Sequence, residues 1–359
     1  MIIFAVINFT QKQIRGRGSV ANPTSRFEKF RITVDPDAPI EEENRPNTQF
    51  IRDASQSIIA YNSSPDVGFD ASVNPYRGCE HGCVYCYARP THEYFGFSAG
   101  LDFETKILVK ENAPQLLEKE LASPTWKSQI VALSGVTDPY QPIEKKLKLT
   151  RRCLEVFLKF RNPLVIITKN HLVTRDIDIL QEMAKYHVVR VFISITTLDK
   201  KLAGTMEPRT STPTRRLAAI EALASAGIPT GVLVGPVIPA LTDHELIRII
   251  TSAAKVGAAF ARYIVLRLPF GIKSLFEKWL EVNYPNKKEK VINRIQSVRG
   301  GKLYDSTFYQ RMSGKGIFAE QIQNTFEVAC RHAGINKQKP YLTTANFLRP
   351  ANKQLSISF

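Results

Sequence analysis

Cysteine is scarce in this chain, five residues in 359, and the odd number argues against a disulfide framework and for a reducing compartment. Acidic residues are outnumbered, 33 against 49 Lys and Arg, which leaves a formal charge of +16. That excess suits a polyanionic partner such as nucleic acid. Long hydrophobic runs are missing too: the most apolar stretches, 164–168 and 231–240, fall far short of the roughly 20 residues that cross a bilayer, which excludes a membrane helix. The apolar opening MIIFAVINF lacks a basic n-region and a small-residue cleavage site, and TQKQIRGRG follows at once, so it makes a poor signal peptide and the protein reads as cytoplasmic. No internal repeat and no low-complexity segment is found.

What is present is a change of pattern near residue 71. Residues 1–70 carry Pro, Asn, Asp and Arg without sustained periodicity and read as an extended, partly ordered N-terminal arm. Beyond them, short β-branched runs alternate with helical stretches. The predicted strands are 71–76, 130–136, 164–169, 188–196, 230–238 and 263–269, most of them apolar on both faces as buried parallel strands should be. A further run, KILVK at 106–110, reads as an extra strand before a helix at 113–121. Ile143, Leu147, Leu154, Phe157 and Leu158 share one helical face, Thr242 and Glu245 have capping-box spacing, and Gly227 sits where a helix C′ glycine is expected.

Strand, helix and strand repeated about six times predicts an α/β fold over 71–270, a complete or partial barrel with right-handed crossovers. A flavodoxin-like open sheet is the alternative. Residues 271–359 read as a helical extension, with helices at about 274–282, 287–297 and 318–333 separated by a loop at 299–316.

Three of the five cysteines, Cys79, Cys83 and Cys86, fall within eight residues in NPYRGCEHGCVYCYARP. Gly78 and Gly82 allow the backbone to fold closely around whatever these thiols hold. Two chemistries use such a loop. Structural zinc wants a fourth protein ligand, for which His81 and His92 are the nearby candidates. A 4Fe-4S cluster can take three cysteines and leave one iron open. Cys153 and Cys330 lie inside helical patterns and read as packed core thiols.

CEHGCVYC, with an aromatic residue before its third cysteine, resembles the signature of the radical S-adenosylmethionine (SAM) superfamily. NPYRGCEHGCVYCYARPTHEY, TDPYQPIE, ITKNH and EPRTSTPTRRLAAI resemble its spore photoproduct lyase, or DNA-repair-photolyase-like, branch, and RGGKLYD and RMSGKG an uncharacterised subfamily of that branch. The resemblance implies a partial (β/α)6 barrel with the cysteine loop after the first strand, a 4Fe-4S cluster on Cys79, Cys83 and Cys86, and bound SAM. It implies a 5′-deoxyadenosyl radical as reagent and a flavodoxin- or ferredoxin-like electron donor. It also places Tyr85 beside the cofactor adenine and matches Lys169 and Ser194 to cofactor contacts. Arg209, in EPRT, offers a planar fork for the cofactor carboxylate. Ser134, Asp138 and Thr196 are further polar groups at predicted strand ends, where barrel sites form. One departure stands out: the lyase of this branch has a hydrogen-donating cysteine after its second strand, where this chain has Gly135.

Three functions compete at this level. One is a radical SAM enzyme acting on nucleic acid; another keeps the chemistry but acts on a peptide or small metabolite. The third is a zinc-stabilised basic protein that binds nucleic acid without catalysis.

Overall fold

The computed structural model describes residues 14, 16–19, 21–27, 47–337 and 341–350, so much of the predicted arm lies outside the described residues. Ten strands are found among them: β1 Gln49–Arg52, β2 Ile59–Tyr61, β3 Ala71–Val73, β4 Tyr76–Arg77, β5 Lys106–Val109, β6 Val131–Leu133, β7 Leu164–Thr168, β8 Val189–Ser194, β9 Thr230–Val237 and β10 Phe260–Val265. Seven form one sheet in the order β10-β9-β8-β7-β6-β3-β2. Its six strands from β3 to β10 run parallel, and β2 adds an antiparallel edge on β3. The other three make a small sheet, β1-β5-β4. The predicted arm therefore contributes two strands, β1 and β2, each too short for its alternation to register in the sequence.

Helices cross over between the parallel strands, among them 149–160, 177–185, 213–225 and 246–255. Their apolar faces meet the outward side chains of the sheet in one large core, where Val189, Val191 and Ile193 lie beside Leu223, Ile249 and Phe157. Burial of each such side chain contributes about 1.5–3 kcal/mol. Alternation then turns Arg190, Phe192 and Ser194 to the opposite, concave face. Cys153 and Cys330 belong to the outer core, as their helical patterns suggest.

Some local predictions give way. The single helical face through Ile143 and Leu158 is split into helices 144–147 and 149–160 by Lys148, whose φ is 52°. The last strand starts at Phe260 rather than Tyr263, because the Phe260 ring lies against Gly231 of β9, where any side chain would collide with it. Thr242 and Glu245 do not form a capping box. Thr242 accepts from Ile238 N at 2.9 Å, while Glu245 reaches across to the Thr197 hydroxyl and Leu198 N.

The C-terminal helices fall at Ile272–Asn283, Lys288–Ser297 and Ile317–Ala333, and a short helix, Gln310–Ser313, interrupts the loop between the last two. A second core joins the first of them to the cysteine loop: Phe276 and Trp279 pack in one cluster with Cys83, Val84 and Tyr85. At the open edge, the Asn336 carboxamide accepts from Ala261 N at 2.9 Å and donates to Ala261 O at 3.1 Å, occupying the free side of β10.

Candidate cluster and cofactor site

Cys79, Cys83 and Cys86 stand on the loop that follows β3 and β4, at the C-terminal end of the parallel sheet, and all three are free thiols. Gly78 and Gly82 have φ of 77° and 66°, and a side chain at Gly82 would strike the Glu104 carboxylate at 2.6 Å. The loop's carbonyls are gathered by Arg89, which is fully buried. Its Nε donates to Cys83 O at 2.9 Å and its Nη2 to Gly82 O at 3.2 Å. The same Nη2 pairs with Glu104 at 2.5 Å, and Glu104 also accepts from Gly18 N at 3.0 Å and Ser19 N at 2.8 Å. A short piece of the N-terminal segment is thereby tied to the back of the loop.

Glu80 completes the frame from the other end. It accepts from Ile143 N at 2.7 Å and pairs with Arg209 at 3.0 Å, while Gln141 and Thr137 take Glu80 N and Gly78 O. His81 is already engaged, whereas neither ring nitrogen of His92 has a hydrogen-bond partner among the described residues. His81 is buried between Asp138, at 3.3 Å, and Asn170, at 3.1 Å. Burial opposes its charge, but Asp138 and Cys79 prevail and raise it to about 10. His92 is enclosed by Phe97 and Phe103, and burial lowers it to about 4.

Among the described residues no three of His, Cys, Asp and Glu converge as a single ion would require. The donor set fits an iron-sulfur cluster, in which each thiolate serves its own iron. Burial pushes the Cys83 and Cys86 thiols up, so a group that takes their protons must bring strong positive charge, as iron does.

Beside the loop, three of the residues named from the sequence come together. Lys169, directly after β7, donates to Ser194 Oγ at 2.9 Å and Gly235 O at 3.0 Å, and its ammonium lies 5.8 Å from the Tyr85 ring. The Tyr85 hydroxyl donates to Glu207, which also takes the Thr196 hydroxyl at 2.7 Å and pairs with the buried Arg216. Burial would raise the Glu207 carboxyl; Arg216 and Lys169 outweigh it and hold the group at about 2. Arg209, by contrast, is engaged by Glu80 and Thr48. Asp138 serves as a knot, accepting from the Thr168 hydroxyl at 2.7 Å and Lys169 N at 2.8 Å. Among the described residues the Ser134 hydroxyl bonds only within its own turn, to Thr137 O at 3.3 Å.

The sequence reading missed Arg89, Glu104, Glu207 and Arg216. Arg89, Glu207 and Arg216 stand inside the motifs quoted above, but nothing local in those stretches marks their charges as buried and paired. At the rim, the Tyr87 hydroxyl donates to Gly135 O at 2.6 Å and its ring lies 5.0 Å from the Arg267 guanidinium.

Comparison with known proteins bears on the fold and the family. An uncharacterised protein of Mycobacterium tuberculosis is 39% identical over 219 residues, covering 60% of this chain and 64% of the relative, so the match spans less than two thirds of that protein. An uncharacterised protein of Methanocaldococcus jannaschii is 32% identical over 222 residues, 62% of this chain and 79% of the relative. A spore photoproduct lyase complexed with dinucleoside spore photoproduct superposes with a TM-score of 0.55 over 79% of each chain at 18% identity, a likeness of fold. The family model described as the Radical SAM superfamily matches residues 73–253, a span that holds all three loop cysteines together with Tyr85, Lys169, Ser194 and Arg209. The chain belongs to the radical SAM superfamily, whose members use a 4Fe-4S cluster and SAM.

Proposed function

We propose that the protein is a radical SAM enzyme that acts on nucleic acid, with Cys79, Cys83 and Cys86 each holding one iron of a single cluster. The observation that carries the chemistry is the three free thiols on one loop whose carbonyls are pinned by a buried arginine. When bound, cluster and cofactor supply a 5′-deoxyadenosyl radical, the reagent for hydrogen abstraction.

The chain's own residues position and enclose. Tyr85, its hydroxyl held by Glu207 and Thr196, would present its ring to the cofactor adenine. Lys169 and Ser194 would offer an ammonium and a hydroxyl to the cofactor's polar groups, and Arg209, which steadies the loop through Glu80, would hold the cofactor carboxylate. A flavodoxin- or ferredoxin-like protein supplies the electron. The nucleic-acid part rests on the charge of +16 and on Arg262, which is exposed on β10, has no acidic partner among the described residues and lies level with Ser194 through Leu233.

Anaerobic reconstitution with iron, sulfide, reductant and SAM should yield 5′-deoxyadenosine. Cys→Ala at any of the three positions should remove both the cluster absorption and that product, whereas Lys169→Met should keep the cluster and weaken SAM binding by about 1–3 kcal/mol. Cofactor cleavage that no DNA or RNA accelerates, with binding insensitive to salt, would sink the nucleic-acid reading and leave a peptide or small metabolite as substrate.

A further inference from the structure

Lys110 follows β5 and is only 6% exposed, yet among the described residues its ammonium makes no hydrogen bond and no ion pair. Lysine is rarely buried without a partner. It lines a cavity of about 120 Å³ together with Arg77, Asn74, Val136 and the chain at Ser57 and Ile58. That volume holds several waters or one group of phosphoryl size, on the scale where a single water needs about 10–15 Å³.

The walls are fixed from behind. Arg77 is held by Asp53 at 2.6 Å and Ser55 at 3.0 Å and lies 4.6 Å from the Phe95 ring, an arrangement that commits Nε and Nη2 and leaves Nη1 without a bond among the described residues. Asn74 accepts from Val136 N at 3.3 Å through its oxygen, so its amide NH2 remains to donate. The nearby carboxylates are already taken: Asp53 by Arg77, and Glu120 by Ile58 N at 2.6 Å and Ile59 N at 3.2 Å. The cavity also lies where substrate would arrive. Asn74 follows β3 and Val136 follows β6, next to Gly135 and the Tyr87 hydroxyl at the rim of the barrel.

We propose that Lys110, Arg77 and Asn74 form an oxyanion subsite beside the radical centre, built to take a phosphoryl group. Donors from three directions, with the Asp53 and Glu120 carboxylates already engaged and the Ser57 hydroxyl able to donate as well, suit an anion, and the small sheet β1-β5-β4 is the device that carries two of the cations to the barrel edge. The subsite stands on residues outside the cluster and cofactor contacts.

The test uses the reconstituted full-length protein in phosphate-free buffer, without SAM, so its outcome is separate from that of the nucleic-acid reading. Isothermal titration with inorganic phosphate, with thymidylyl-3′,5′-thymidine and with acetate forms the three arms. The wild type should bind about one equivalent of phosphate or of the dinucleotide, with a rise in Tm, and Lys110→Met should lose at least about tenfold in affinity. Tighter binding of the dinucleotide assigns the group to a nucleic-acid chain, and tighter binding of phosphate assigns it to a free anion or terminal phosphate; both support the subsite. Without phosphate, Lys110→Met should be as stable as the wild type or more so, because it removes a charge that burial disfavours and that makes no ion pair among the described residues. Acetate bound as tightly as phosphate, no phosphate bound at all, unchanged affinity in Lys110→Met, or a large loss of stability in that variant without phosphate would each overturn the assignment.

Discussion

Arg89 and Glu104 contribute no sulfur, yet the cysteine loop takes its shape from them. Both side chains are fully buried, and their ion pair is joined by loop carbonyls on one side and by Gly18 N and Ser19 N on the other. Glu104→Gln leaves the guanidinium without a counter-charge, and such a loss costs about 3–5 kcal/mol. The expected result is a markedly lower Tm and poor iron retention after desalting; an unchanged Tm would show that the loop holds itself. Glu207 gives a pH signature. Its carboxyl is held at about 2 in the fold, below its ordinary value of 4.5, so its stabilising contribution is complete above pH 4.5 and fades as pH falls towards 2. In denaturant titrations the gap between wild type and Glu207→Gln should therefore narrow over that window. A constant gap would mean that the carboxylate is not what Arg216 holds.

Elements were legible where hydrophobicity and pairing coincide. Strands β7 and β9 lie almost where their apolar runs predict, because those runs end at the sheet. The run at 263–269 does not: Leu266 and Leu268 are buried, but in the second core with Trp279, so their apolar character marks packing beyond the strand. The cysteine motif was readable for the opposite reason, since its chemistry is contained in eight contiguous residues. Lys110 and Glu104 look like ordinary charged residues until a distant segment buries them. The C-terminal segment supplies another long-range link: Arg311 donates to Asp66 at 2.5 and 2.7 Å, and the Asp66 side chain is 1% exposed. Arg311→Ala should cost about 3 kcal/mol and speed amide exchange around residues 307–313. Unaltered exchange there would show the segment to be anchored by other contacts.

At the scale of the whole molecule the charge of +16 has a measurable consequence. Binding to single-stranded DNA should weaken linearly in log affinity against log salt, with a slope of about 0.7 per phosphate neutralised. Arg262→Ala should lower that slope by about one such increment if the open edge of the sheet meets the backbone, and a slope equal to the wild type's would move the contact elsewhere. The same edge raises a different matter. A partial barrel, unlike a closed one, ends in strands whose outer backbone groups can recruit a strand from a neighbouring molecule. Asn336 presents to Ala261 one acceptor and one donor, the pair that an incoming strand would have to supply. A single side chain thus acts as a counterfeit strand, satisfying the edge with a partner that cannot propagate, and the barrel can stay open to substrate without becoming a template for aggregation.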